Sequence, residues 1–274
     1  MGVVNITPDS FSDGGLYLDA EKAVEHGLTL DAEGADILDI GGESSRPGSD
    51  PVSAEEELRR VIPVISRLRP KTHALISIDT MKFDVARAAL DAGADIINDI
   101  SSFALDPRIL RLAAERDTGF ILMHMKGLPK TMQVKPFYEN VVQEIRSYLA
   151  EKMEIAEAYG LKKDNIIIDP GIGFGKRHED NLVLLNHLSA FSELGRPVLV
   201  GVSRKAFIGK ILNTPPQDRL EGTIASSVIS LVRGASILRV HDVKAVKRAA
   251  LVAEAILNED PDKNFGEENT RHVH

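Results

Sequence analysis

Asp79, Asn98, Asp169 and Lys205 each stand at or near the end of a short, nearly continuous apolar run. Two carboxylates and an amide can read a flat heterocycle that presents several N–H donors and an acceptor. Lys205 adds an ammonium able to donate to a ring carbonyl or nitrogen. Arg46, Arg239 and His241 are cations of the kind that surround a phosphate or pyrophosphate. Asn5 offers a neutral oxygen to a hard cation such as Mg²⁺, which usually keeps waters and substrate phosphate oxygens as its other ligands. A lone Asp in such a place is more often a turn former. Polar residues at the ends of all the runs are costly to bury unless they are paired or bound to something, and their convergence points to a polar ligand.

These residues need elements that bring them to one place. The apolar runs are 2–6, 36–40, 75–79, 95–100, 119–124, 165–169, 197–203 and 237–242. Each is rich in Val, Ile and Leu, as expected of parallel strands covered on both faces. Helix-period patterns fill the spacers, for example 54–69, 83–92, 138–159 and 243–257. Gly34, Gly93 and Gly234 each end a helical stretch just before an Ala and the next strand, because Gly takes the left-handed conformation that stops a helix. Eight strand–helix units in a chain of 274 residues predict a (β/α)8 TIM barrel. The rival is an open doubly wound sheet, but no Gly-rich dinucleotide fingerprint follows the first strand. In a barrel the strand ends listed by their chemistry above would share one rim.

One barrel domain is expected over 1–258, followed by a polar tail, 259–274, whose His272 and His274 read as surface residues. The stretches 7–15 and 41–48, rich in Gly, Ser, Asp and Pro and carrying Phe11, Asp13 and Arg46, suit mobile lids. The stretch 55–60 reads as a solvated helix face with spaced ion pairs. The chain has no Cys, which excludes disulfides, thiolate metal sites and a cysteine nucleophile. A net charge of −8 argues against nucleic acid as the main partner. No apolar run reaches the roughly 18 residues of a membrane span. The first residues lack the blocks of a signal peptide, so a cytoplasmic protein is expected.

The motifs themselves carry a resemblance. Asn5-Ile6-Thr7-Pro8-Asp9-Ser10-Phe11-Ser12-Asp13-Gly14-Gly15, Asp39-Ile40-Gly41-Gly42-Glu43-Ser44-Ser45-Arg46-Pro47-Gly48 and Asp169-Pro170-Gly171-Ile172-Gly173-Phe174-Gly175-Lys176 are three of them. Ser77-Ile78-Asp79-Thr80, Ile97-Asn98-Asp99, Met123-His124-Met125, Ser203-Arg204-Lys205 and Arg239-Val240-His241-Asp242 are the others. In this order, over nearly the whole chain, the sequence resembles the dihydropteroate synthases of folate synthesis.

The resemblance implies that a dihydropterin pyrophosphate is condensed with p-aminobenzoate, with Mg²⁺ as the cofactor. Asp79, Asn98, Asp169 and Lys205 would hold the pterin ring, with Met123 and Phe174 nearby. Asn5 would help bind Mg²⁺, and Asn5, Ser45, Arg46, Arg239 and His241 would serve the pyrophosphate. Ser45, Pro47, Lys205 and Ala206 would form the p-aminobenzoate site as the first two loops close. Asp13, Arg46, Asp169 and Lys205 would carry the catalysis, by way of a dissociative substitution. A homodimer is common in the family, and 223–231 with the last helix is apolar enough to allow it.

The chain departs from the family pattern in three places. Ser45 stands where Thr is usual, and Ala206 where Ser is usual. Many relatives also carry a segment before the first strand, so the barrel floor is expected to be less covered. Two rivals share the pterin pocket. A corrinoid-linked methyltetrahydrofolate methyltransferase lacks the Thr-Pro-Asp-Ser-Phe-Ser-Asp loop and the Ser-Arg-Lys motif, both present here. A non-catalytic paralogue should have lost loop or pyrophosphate residues that this chain keeps.

Overall fold

Isoleucine, valine and leucine dominate eight short parallel strands in the computed structural model, which describes residues 1–6, 15–45 and 48–259. The strands are β1 (Gly2–Asn5), β2 (Ile37–Gly41), β3 (Leu75–Asp79), β4 (Ile96–Asp99), β5 (Gly119–Met123), β6 (Ile166–Asp169), β7 (Leu199–Val200) and β8 (Ile237–Leu238). Strands β1 to β6 pair in chain order, and β7 pairs with β8. Two parallel bridges join these groups into a ring, Ile168 beside Val198 and Gly2 beside Val240. At the first, Ile168 N donates to Pro197 O at 3.0 Å; at the second, Val3 N donates to Val240 O at 3.1 Å and Val240 N to Met1 O at 2.9 Å. The ring therefore closes as a (β/α)8 barrel, which excludes the open sheet. Strands β7 and β8 are shorter than their apolar runs, because beyond them the pairing thins to single bonds such as Arg239 N to Val200 O.

The connecting helices are α1 (Gly15–Ala32), α2 (Ala54–Leu68), α3 (Phe83–Asp91), α4 (Arg108–Arg116), α5 (Val141–Ala158) and α6 (His178–Asn186). After them come α7 (Ser189–Ser192), α8 (Ala206–Leu212), α9 (Leu220–Val232) and α10 (Val243–Asn258). Helix α5 starts three residues later than its pattern, where the Asn140 side chain caps it by accepting from Gln143 N at 3.1 Å. The three expected helix stops hold, with φ of 94° at Gly34, 106° at Gly93 and 102° at Gly234. No helix among the described residues is long and apolar enough to cross a membrane. The loop 7–14, Arg46 and Pro47, and the tail from 260 onward lie outside the described residues, and with them Phe11, Asp13, His272 and His274.

A period of two along the strands separates the inside of the barrel from its helix-covered outside. Met1, Ile37, Ile96, Ile121 and Leu199 form the inner apolar layer, with Ile167 and Ile237 against it. Their neighbours Leu38, Ile97, Phe120, Ile168 and Val200 belong to the larger core beneath the helices. Two residues beyond Ile37, Ile96, Ile121, Ile167 and Ile237, on the same face, come Asp39, Asn98, Met123, Asp169 and Arg239. The barrel is thus plugged with hydrocarbon below and turns polar one layer higher.

One surface reading is corrected. Glu56 in α2 does pair with Arg59 and Arg60, the latter at 2.8 Å. Glu57 is instead fully buried and accepts from Lys82 Nζ at 2.5 Å, while Lys82 also reaches Glu43. Helical spacing explains this, since Glu57 shares a face with the buried Val61, Val64 and Leu68. Gly42 lets that face approach, because a Cβ there would lie 2.8 Å from Val61 and 3.0 Å from the Glu57 side chain.

Candidate active site

The upper inner layer brings most of the expected residues together. Register places Asn5 beside Gly41, Gly41 beside Asp79, and Asp79 beside Asn98. Met123 lies beside Asp169 two ladders further round. Arg239 crosses the barrel: its Nε donates to Asp39 Oδ2 at 2.6 Å and its Nη2 to Asp79 Oδ2 at 2.9 Å. Asn98 Nδ2 donates to the same Asp39 oxygen at 3.3 Å. Asp39, fully buried and absent from the expected site residues, is therefore the hub that fixes Asn98 and Arg239. Arg239 joins the Asp79–Asn98 group through Asp39 and through its own bond to Asp79.

Burial sets the charges of this layer. It pushes Asp79 up from the usual carboxylate range against the opposing field of Arg239. It pushes Asp169 up to about 6, opposed by the Gly171 N–H, donated at 2.7 Å, and by Lys205 and Lys176. Lys205 is pulled down to about 8 by burial and by Arg239, with Asp169 and Asp79 opposing. Carboxylates and cations of such shifted acidity, gathered in one concave rim, mark a functional site.

Glycines shape the loop after β6. Gly171 and Gly175 have φ of 69° and 63°, and a Cβ on them would lie 2.0 Å from His124 O and 2.3 Å from Lys126 O. Only glycine lets this loop lie backbone against backbone on the end of β5. The loop carries Phe174, whose ring centroid is 4.2 Å from Lys205 Nζ.

The Ser-Arg-Lys motif divides its labour. Ser203 Oγ meets His241 Nδ1 at 3.0 Å and accepts from His241 N at 3.2 Å, which orients the imidazole at the top of the barrel. Arg204 turns outward with φ of 57° and makes a two-pronged pair with Asp242 at 2.6 and 3.1 Å. Lys205 points back toward Phe174, and Ala206 opens α8, the helix start expected of it. Ser45 lines a narrow cleft with Glu43, Glu57, Asp79 and Lys82. Asp13, Arg46 and Pro47 fall outside the described residues.

Asp99, next to Asn98, serves the fold. Its carboxylate accepts from Ser101 N at 2.8 Å, Ser101 Oγ at 2.7 Å and Phe103 N at 2.7 Å, on the outward face of β4. Lys176 and His124 form another buried polar pair, to which the sequence assigns no role.

A Mg²⁺ ion would find one amide oxygen and carboxylates nearby. The position of a Cβ on Gly41 is 3.6 Å from Asn5 Oδ1 and 3.8 Å from Asp79 Oδ2, so the missing side chain leaves space between them. Among the described residues no group of three or more His, Asp or Glu could hold a metal. These donors fit a cation that arrives with phosphate oxygens of its own.

Comparison with known proteins agrees with this geometry. The family model for pterin binding enzymes matches residues 1–241. A dihydropteroate synthase of Synechocystis is 47% identical over 257 residues, 93% of this chain and 89% of that protein. A Xanthomonas albilineans dihydropteroate synthase solved with 4-aminobenzoic acid is 48% identical over 94% of this chain and 92% of its own, with a TM-score of 0.89. The X. albilineans enzyme in complex with 7,8-dihydropteroate aligns at 46% identity over the same shares, with a TM-score of 0.85. The chain belongs to the pterin-binding enzyme family, among the dihydropteroate synthases.

Proposed function

We infer that the chain condenses 6-hydroxymethyl-7,8-dihydropterin pyrophosphate with p-aminobenzoate, giving 7,8-dihydropteroate and pyrophosphate. The observation that carries this is the polar layer of Asp79, Asn98 and Asp169 under Lys205 and Phe174. A heterocycle laid there meets carboxylates for its N–H groups, an ammonium for its carbonyl or ring nitrogen, and the faces of Phe174 and Met123. The relatives solved with 4-aminobenzoic acid and with 7,8-dihydropteroate support both halves of the reaction.

The C–O bond from the exocyclic methylene to pyrophosphate breaks, a C–N bond to the aniline nitrogen forms, and that nitrogen gives up a proton. Buried carboxylates near the pterin, Asp169 first, favour the positive charge that spreads into the ring as pyrophosphate departs. Lys205 and His241 stand at the rim where negative charge accumulates on the leaving group. Ser45, and by the family resemblance Arg46, would serve the same pyrophosphate, while Asp13 would join Asp169 in favouring the cationic ring; Arg46 and Asp13 lie outside the described residues. Mg²⁺, held in part by Asn5, would neutralise the pyrophosphate. None of these side chains is needed as a covalent nucleophile; positioning and electrostatics lower the barrier.

The test is pyrophosphate release from the dihydropterin pyrophosphate with Mg²⁺, with and without p-aminobenzoate. Release that requires p-aminobenzoate and yields dihydropteroate supports the reading; tight pterin binding with no release sinks it. Ala206 provides a second check. A hydroxyl at this helix start adds a donor for the p-aminobenzoate carboxylate, so Ala206→Ser is expected to lower the KM for p-aminobenzoate roughly fivefold, the equivalent of one hydrogen bond of about 1 kcal/mol. Identical constants for the two proteins would remove Ala206 from that site.

The enzyme also works as a homodimer in the cytoplasm on this reading. Ile229, Val232, Val252 and Ile256 leave apolar surface exposed on the neighbouring helices α9 and α10, and a second copy would cover it. Val252→Glu with Ile256→Glu is expected to convert a dimer to a monomer in sedimentation, and a wild-type monomer would refute the assembly. A substrate bearing a pyrophosphate does not cross a membrane unaided, which favours the cytoplasm.

A further inference from the structure

Lys176 is buried to 3% exposure, yet its ammonium touches only neutral acceptors. Nζ lies 3.0 Å from His124 Nδ1, 3.2 Å from His124 O and 3.0 Å from Phe174 O. An ammonium has three donors, so these partners use all of them. Burial pulls Lys176 down to about 7 against the field of Asp169; in its ammonium form it has no acceptor, so His124 Nδ1 then accepts and the ring proton sits on Nε2. A buried cation without a hydrogen-bonded carboxylate is an expensive way to tie a loop down.

The loop has other ties. Gln133 Nε2 donates to Gly173 O at 2.7 Å, Tyr138 Oη donates to Gly175 O at 2.7 Å, and Asn181 Oδ1 accepts from Gly173 N at 2.6 Å. The fold of the loop therefore does not rest on Lys176 alone. What Lys176 alone does is join three parts of the pterin layer. The His124 carbonyl it holds follows Met123 at the end of β5. The same carbonyl lies against Gly171, whose N–H holds the Asp169 carboxylate. The Phe174 carbonyl it holds belongs to the ring beside Lys205. Its positive charge also acts on Asp169, which carries the matching negative one.

We propose that Lys176 is a positioning residue of the pterin subsite, locking Phe174 and the Asp169 turn against the end of β5 so that binding of the heterocycle depends on its ammonium. It touches no reacting atom. The proposal rests on the pterin reading of the site.

The test uses Lys176→Met and Lys176→Cys. The chain has no other Cys, so alkylating the unfolded Lys176→Cys protein with 2-bromoethylamine and refolding it restores an ammonium of nearly the same length at this position only. Lys176→Met is expected to raise the calorimetric Kd for 6-hydroxymethylpterin, and the KM for the dihydropterin pyrophosphate, tenfold or more. The KM for p-aminobenzoate stays within twofold, and thermal unfolding stays cooperative. The aminoethylated protein recovers most of the pterin affinity and the unmodified Cys protein does not. A pterin Kd within twofold of wild type, an equal rise in both KM values, no gain on aminoethylation, or failure of both variants to fold would each overturn the proposal. A wild-type protein that binds pterin but makes no dihydropteroate would defeat the synthase reading instead, leaving the pterin comparison intact.

Discussion

Asp169→Asn is expected to lower kcat/KM for the dihydropterin pyrophosphate by two to three orders of magnitude, with the protein still folded. The carboxylate is buried at the top of β6 and one of its oxygens is taken by Gly171 N at 2.7 Å. Its remaining lone pairs face the layer that Lys205, Asn98 and Asp79 share. A pterin edge presents adjacent N–H groups, and hydrogen bonds to a charged acceptor contribute about 1.5–3 kcal/mol each. Two such bonds, lost together with the charge that favours a cationic ring, amount to at least about 3 kcal/mol, or more than a hundredfold in rate constant. Asn keeps an oxygen for Gly171 and nearly the same volume, so the β6 turn survives. The measurement is steady-state kinetics on both substrates beside a thermal melt. A loss below tenfold with the melt unchanged would take Asp169 out of the pterin site.

Much of this was readable before the structure, and the reason is periodicity. A strand buried on both faces looks like an unbroken apolar run, so the runs revealed the barrel but not which side of each strand faced inward. The polar ends revealed the chemistry. Combining them would have gone further: Ile37 with Asp39, Ile96 with Asn98, Ile121 with Met123, Ile167 with Asp169 and Ile237 with Arg239 repeat one spacing of two. That spacing separates Asn98 from its outward neighbour Asp99 and adds Asp39 to the site. Glu57 reads as solvated because its own neighbours in sequence are charged, while its neighbours on the helix face are Val61 and Val64. Lys176 could not be placed from sequence. Its role depends on the carbonyls of His124 and Phe174, brought within reach by two glycines of positive φ, and no side-chain pattern encodes a backbone acceptor.

The pH profile of kcat/KM for the dihydropterin pyrophosphate is expected to be a bell, its acid limb set by buried carboxylates and its alkaline limb by buried ammonium groups. Burial lifts Asp169 to about 6 and drops Lys205 to about 8, and on the proposed reading the pterin uses the first as an acceptor and the second as a donor. Asp79, raised by burial to about 7 against the field of Arg239, begins the acid limb, and below pH 6 Asp169 takes up its proton as well and steepens the fall. On the alkaline side Lys176, drawn down to about 7, starts the fall by losing the ammonium proposed for the pterin subsite, and Lys205 steepens it above pH 8. The same shifts act on stability in a definite sense. Asp169 binds its proton more tightly in the ligand-free fold than in the unfolded chain, so its share of stability falls as pH rises from about 4 to 6. Lys205 holds its proton less tightly in the fold, so its share rises with pH from about 8 to 10. Between the two limbs the empty barrel keeps both groups charged against its own preference. A bound pterin that pairs with both removes that penalty, so the rise in Tm given by 6-hydroxymethylpterin should be greatest between pH 6 and 8. Asp169→Asn should flatten the acid side of both curves and leave the alkaline side in place. An acid limb that survives unchanged in Asp169→Asn would assign it to another group, and a ligand-induced rise in Tm that does not vary with pH would mean that the pterin does not meet these charges at all.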